Sequence, residues 1–275
     1  MSDARAVVIA NVAPMRAEPG SRSEQTSQAI FGETVRVHEE SGEYTRIQTP
    51  DSYSGWILSS QLWVLETDER YPNPTRAAMV SSLILPVFRE PSGRSERITL
   101  LTLGTAVELA EGDAEAAFYP VRFPSGDIGY LESSALIVPH YPPLEELGPN
   151  LAVVARGLIG VPYLWGGRTP FGIDCSGFTQ RVYWLCGHVI PRDAYQQAAS
   201  EQFESVEKAE LRAGDLVYFA AKDDPLGRGV THVGLMVDSA RFIHASGRYN
   251  GVSISPLDDA HYGPLFWGAR RMRGG

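Results

Sequence analysis

No apolar run in this chain approaches the ~18 residues that a membrane-spanning helix needs. The first twenty residues, MSDARAVVIANVAPMRAEPG, lack the charged start, long apolar centre and small-residue cleavage site of a secretory leader. The chain as given therefore reads as cytoplasmic, with no membrane as partner. Positive charge is also in short supply: 33 Asp and Glu against 24 Lys and Arg leave a net charge of −9. Nucleic acid and acidic lipid both select clustered Lys and Arg, so neither is an expected partner. Cysteine is scarcer still, with only Cys175 and Cys186. On one helix these would lie about 16 Å apart at ~1.5 Å per residue, too far for the ~7 Å that a disulfide tolerates. That spacing excludes a disulfide framework and allows a free, reactive thiol. Compact metal patterns such as CxxC or HExxH are missing, so no metal and no cofactor is expected.

The first half of the chain repeats itself. Glu18-Pro19 matches Glu90-Pro91 and Gly32 matches Gly104, each 72 residues on. Gly55-Trp56 matches Gly129-Tyr130 and Ser59-Ser60 matches Ser133-Ser134, each 74 residues on. A small insertion therefore falls between Gly104 and Gly129, and each copy marks one structural unit. Both copies carry short alternating runs such as TVRVHEE, YTRIQ, GWILSS and AVELAE, bounded by Gly, Pro, Ser and Asp. Alternation of period two is the strand signal, and ~60 residues with five or six short strands make a small barrel. Between the copies runs ETDERYPNPTR, a charged linker with prolines, and after the second comes VPHYPPLEELGPN.

Beyond about Asn150 the texture changes. LAVVARGLIGV and FTQRVYWLCGH have apolar residues at helical spacing, and DLVYFA, HVGLMV and RFIHAS read as strands. The third unit is thus α+β, with helices first and an antiparallel sheet after. Within it, PYLWGGRTPFGIDCSGF sets Cys175 at the start of a predicted helix, with Asp174 as its N-cap. A helix N-terminus offers partial positive charge and free N–H groups, which favour thiolate over thiol and suit an oxyanion. A cysteine nucleophile needs a base, and the base an orienting partner. Centring the hairpin loop of HVGLMV and RFIHAS on Asp238 sets His232 directly opposite His244, on one face and about 5 Å apart at Cβ. Cys186 falls among Val182, Trp184 and Leu185 and is expected in the core; His38, His140, His188 and His261 are given no role.

The pattern of x-R-x-x-P, then G-x-x-V, then G-W-I resembles the bacterial SH3-like domain, and the resemblance covers about residues 5–66 and 76–140. The order WGG, DCSGF, PRD, AGDLVYF, THVGL, FIHAS is similar to that of the NlpC/P60 cysteine peptidases over residues 148–272. The resemblance implies a papain-like α+β catalytic domain at 146–275, preceded by two small all-β SH3-like barrels at 1–68 and 75–142. It implies that Cys175 attacks, His232 is the base, His244 orients it and Tyr163 assists the oxyanion. The combination of units looks like the γ-D-glutamyl-L-diamino-acid endopeptidases, which take murein-derived peptides with a free N-terminal L-Ala. In these the first SH3-like domain packs on the catalytic domain and closes the end that receives the free amine. Asp193, Glu18 and Tyr53 are then candidate ammonium acceptors, and Ser176 and Arg192, beside Asp174, candidate donors to the substrate carboxylate. The serine that often follows PRD in the family is Ala194 here, which removes one hydroxyl. Two other readings stay open: an N-acetylmuramoyl-L-alanine amidase or acyltransferase on the same core, and a nonenzymatic wall-binding module. The choice between meso-diaminopimelate and L-Lys as the leaving residue also stays open.

Overall fold

The computed structural model describes residues 4–66, 68–113, 115–220 and 229–274; the outermost residues of the first and last expected domains (1–3 and 275) lie outside them. The chain divides into two compact units, Met1–His140 and Tyr141–Gly275.

The first unit holds two seven-stranded sheets. One comprises β1 (Arg5–Val8), β2 (Val12–Arg16), β3 (Gln25–Ile30), β4 (Thr34–Ser41), β5 (Tyr44–Gln48), β6 (Ser54–Leu58) and β7 (Leu62–Val64). The other comprises β8 (Ala77–Val80), β9 (Ile84–Phe88), β10 (Arg97–Thr102), β11 (Ala106–Leu109), β12 (Phe118–Arg122), β13 (Ile128–Glu132) and β14 (Leu136–Ile137). The strand orders, 3-2-6-5-4-1-7 and 10-9-13-12-11-8-14, are the same order shifted by seven, so the sequence repeat is a structural one. Each sheet has more strands than the five or six expected. The extra strand follows the repeated Ser-Ser turn and pairs back on the first strand, Ala6 with Val64 and Val80 with Leu136. The repeated Gly32 and Gly104 stand at φ +81° and +76°, the left-handed region that favours glycine.

The segment between the two sheets is not a loose tether. Tyr71 is 7% exposed and shares one core with Val7, Phe31 and Leu65 of the first copy and Val80, Val87, Leu101, Val107, Val121 and Leu131 of the second. Its hydroxyl donates to Arg122 O (2.9 Å), while Thr34 Oγ1 donates to Tyr71 O (2.9 Å). Phe31 meets Tyr71 and Phe123 edge-on, at centroid distances of 6.3 and 5.5 Å. Apolar burial and edge-to-face rings join the two barrels.

The second unit begins with α1 (Leu147–Arg156), followed by β15 (Arg168–Thr169) paired with β16 (Gly172–Ile173), α2 (Cys175–Leu185) and α3 (Ala194–Ala199). Then come β17 (Phe203–Val206), β18 (Leu216–Phe219), β19 (His232–Met236), β20 (Arg241–Ser246), β21 (Gly251–Pro256) and β22 (Phe266–Met272). They form an antiparallel sheet ordered 17-22-18-19-20-21. Nine consecutive residues of α2, from Cys175 to Tyr183, are buried, and the helix packs on β19 and β20. Its first turn comes so close to the WGG segment that a Cβ on Gly177 would stand 2.1 Å from Gly167 O. Glycine there is a requirement of backbone approach.

The β19–β20 hairpin differs from the expected register. Leu235 pairs with Ile243 and Met236 with Phe242, and Val237 N donates to Arg241 O (2.9 Å), so the turn centres one residue beyond Asp238. Asp238 Oδ1 instead accepts from Ala240 N (2.9 Å) and Arg241 N (2.8 Å), wrapping the turn around its own carboxylate. His244 therefore lies diagonal to His232 instead of directly opposite. A shift of two keeps both on one face of the sheet.

Candidate active site

Cys175 opens α2. Asp174 caps the helix through Oδ1, which accepts from Gly177 N (2.7 Å), and its Oδ2 accepts from Gly166 N (2.9 Å). Arg192, just before α3, closes on the same carboxylate: Nη2 donates to Oδ2 (2.6 Å) and Nη1 to Oδ1 (3.0 Å). Nη1 also donates to Ser176 Oγ (2.9 Å), and Nη2 to Gly167 O (3.4 Å). Arg192 has 1% of its surface exposed. The carboxylate-donor role expected for Arg192 and Ser176 does not suit this placement. Both side chains are buried and turned inward onto Asp174, where they fix the cap of the nucleophile helix.

Cys175 is 8% exposed. Desolvation, and then the Asp174 carboxylate, push the Cys175 thiol up to about 12, against the lowering effect of the Val233 and Ser176 backbone N–H groups. Burial thus opposes the lowering that the helix terminus offers. Burial also drives His232 well below the usual histidine range, with His244 and His261 adding to the shift. Both shifts favour the neutral forms of thiol and imidazole.

His232 Nε2 lies 2.7 Å from His244 Nδ1, and His244 Nε2 lies 3.1 Å from Ser255 Oγ. In the tautomer that suits a base, His232 Nε2–H donates to His244 Nδ1, and His244 Nε2–H donates to Ser255. His232 Nδ1 is then left as the basic nitrogen. His244 is fully buried and desolvation lowers it to about 4, with Asp259 opposing, so it stays a neutral acceptor. Sequence reasoning missed Ser255. The alternation of β21 puts Ser253 and Ser255 on one face, but only the pairing of β20 with β21 brings that face to His244.

Sequence reasoning also passed over Tyr262. Its ring stacks on His232 at 4.8 Å and 22°, and its hydroxyl is 2.7 Å from Ser246 Oγ. His261, beside it, is exposed as expected, yet it lies near enough to bear on His232. Tyr163 bridges to Ile173 in parallel and is half-buried. Desolvation, and then Cys175, raise its phenol far above the usual value, so it remains a donor. Asp193 caps α3 in a capping box with Gln196. Cys186 is buried in the core, and both cysteines are free. Glu18 and Tyr53 belong to the first unit, where Glu18 is exposed, with its backbone N–H donating to Ser23 Oγ (2.9 Å). Tyr53 leans on the first barrel's core. No helix among the described residues is long and apolar enough to cross a membrane.

Cys175 opens α2 against the backbone of Val233, next to His232 on β19, and His232 is bonded to His244; this is the arrangement of a candidate nucleophile with a candidate base. The family model for NlpC/P60 matches residues 160–271, and that for the bacterial SH3 domain matches residues 11–62. The probable endopeptidase NlpC of Escherichia coli K12 is 36% identical over 140 residues, 48% of this chain and 86% of that protein. The chain belongs to the NlpC/P60 family of cysteine peptidases. Over nearly its whole length it is similar to dipeptidyl-peptidase 6 of Lysinibacillus sphaericus, at 27% identity, covering 95% of this chain and 94% of that one. It is also similar to the γ-D-glutamyl-L-lysine dipeptidyl-peptidase of Bacillus subtilis 168, at 28%, covering 89% and 80%. The crystal structure of an NlpC/P60 family protein from Bacillus cereus shares the fold, with a TM-score of 0.81, 23% identity, and coverage of 98% and 99%.

Proposed function

We propose that this chain hydrolyses the γ-D-Glu–diamino-acid bond of peptidoglycan stem peptides that carry a free N-terminal L-Ala, releasing L-Ala-γ-D-Glu. The observation that carries this reading is the full-length likeness to dipeptidyl-peptidase 6, which spans the SH3-like region and the catalytic unit together. The leaving residue is meso-diaminopimelate or L-Lys. In this reading the reaction serves recycling of wall peptides inside the cell.

In the proposed mechanism His232 Nδ1 takes the Cys175 proton as the sulfur attacks the γ-carbonyl. His244 accepts the Nε2–H bond of the resulting imidazolium. The N–H groups at the start of α2 and the Tyr163 hydroxyl hold the oxyanion. Proton transfer from His232 to the departing amine breaks the C–N bond. The same nitrogen then activates water, which hydrolyses the thioester and frees the thiol. Arg192 and Ser176 act by fixing Asp174. Asp193 receives the substrate ammonium. Without a hydroxyl at Ala194, the substrate's D-Glu carboxylate relies on other donors.

The test is mass spectrometry of L-Ala-γ-D-Glu-meso-diaminopimelate, its L-Lys analogue and their N-acetylated forms, with wild type and Cys175→Ala. Cleavage of free-amine peptides alone, lost in the variant, is the expected outcome. Equal cleavage of acetylated peptides keeps the peptidase and removes the amine-sensing role. Inert peptides throughout refute the reading.

A further inference from the structure

His232 is enclosed on several sides. Tyr262 lies flat on its ring, and Phe219 tilts against it at 5.9 Å. His244 on β20 meets it at 5.0 Å and 81°, and meets Tyr262 edge-on at 4.8 Å and 88°. The titratable groups that act on His232 are His244 on β20 and His261 on the segment between β21 and β22; Cys175 on α2, Tyr163, Tyr249 and Asp259 act on the Tyr262 stacked against it. Tyr262 is itself held at two points. Its hydroxyl is bonded to Ser246 Oγ, and its backbone N–H donates to Asp259 Oδ1 (3.0 Å). Asp259 also accepts from His261 N (2.8 Å) and from the Tyr249 hydroxyl (2.8 Å). The tyrosine is 6% exposed. The ring beside the imidazole is therefore fixed in place, and its stacked orientation is over-determined.

From this geometry we propose that Tyr262 is a positioning residue for the reaction. Its ring sets the plane of the His232 imidazole, and its negative π-face stabilises the imidazolium that forms when Cys175 gives up its proton. The inference rests on the reading of His232 as the base. A flat stack opposes rotation of the imidazole about its Cβ–Cγ bond, which would exchange Nδ1 with Cδ2 and Nε2 with Cε1 and break the bond to His244. A cation within ~6 Å of an aromatic face is attracted to its quadrupole, more strongly where water is excluded. That attraction offsets part of the desolvation penalty on a charged His232. The Ser246 bond and the Asp259 anchor serve to keep the ring there.

The test is the rate of Cys175 alkylation by iodoacetamide against pH, a readout independent of the peptide substrate. It compares wild type, Tyr262→Phe and Tyr262→Met. Phenylalanine keeps the stack and should hold the plateau rate within about twofold. Methionine removes the π-face; the plateau should fall about tenfold and the acid limb should move to lower pH, because charged His232 has lost a stabilising neighbour. A merely structural tyrosine gives the opposite shift, since loosened packing admits water and raises the imidazole. An unmoved or raised limb in Tyr262→Met overturns the proposal. If that variant does not fold, pentafluorophenylalanine at 262 keeps the shape and removes the negative face. Its profile should depart from that of Tyr262→Phe in the same sense, and identity of the two overturns the proposal. His232→Ala alkylating at the wild-type rate sinks the base assignment and this inference with it, whereas a wild-type profile in Tyr262→Met sinks the inference alone.

Discussion

His244 has no exposed surface, and desolvation lowers its imidazole to about 4. In the unfolded chain a histidine takes up its proton near pH ~6.5. Between those two values acid favours the unfolded state. The stability that neutral His244 carries is complete above the unfolded value and is lost as pH falls through the window, by on the order of 3 kcal/mol. His232, lowered in the same direction, adds to the loss. The measurement is the drop in melting temperature between about pH 7 and pH 4.5 for wild type and His244→Asn. Asparagine does not titrate, so its drop should be the smaller; an equal drop refutes the assignment. The chemistry of this residue was legible in the sequence, because a strand-borne histidine beside another is a pattern. The depth of its burial was not, since that follows from the packing of Phe242 and Tyr262 around it. Desolvation bears on Cys175 in the same way: position in a helix is written in the sequence, burial is not.

Among the elements, the contact between the PRD segment and the head of α2 has the sharpest consequence. Arg192 and Asp174 make a buried, doubly bonded ion pair with side-chain exposures of 1% and 9%. Removing one partner strands the other, and such loss costs about 3–5 kcal/mol. Arg192→Met should therefore destabilise the catalytic unit strongly and loosen the cap that sets Cys175. Arg192→Lys, which keeps the charge but loses the fork, should fall between, and thermal unfolding of the three proteins gives the order. Equal stability of all three contradicts the clamp. The sequence displayed the motif PRD and the motif DCSGF but not their pairing, because 18 residues separate the two side chains and only tertiary folding joins them. The hairpin register was misjudged by two through the side chain of Asp238, which folds the turn around itself. Local hydrogen bonding of that kind decides loop length, and apolar alternation does not report it. The short strands β7 and β14 escaped notice because two or three residues give no period to read.

At the scale of the whole molecule, the first half of the chain is a duplication whose copies share a core. Phe31 belongs to the first copy by sequence and to the second copy's cluster by contact. Phe31→Ala should cost about 3–5 kcal/mol, and both barrels should melt together in a single transition. Two separated transitions in the wild-type fragment 4–140 show instead that the copies are independent. The duplication was legible because turn glycines and paired serines recur at fixed offsets. The fusion of the copies was not, since Tyr71 lies in a stretch whose charge and prolines describe a spacer. Its consequence concerns heredity as much as mechanics. A tandem repeat ordinarily gives a gene parts that can be lost, shuffled or borrowed one at a time. Here a tyrosine in the joint ties the two copies together: deleting either should leave the survivor with a raw apolar face, so the pair should be kept or lost as one.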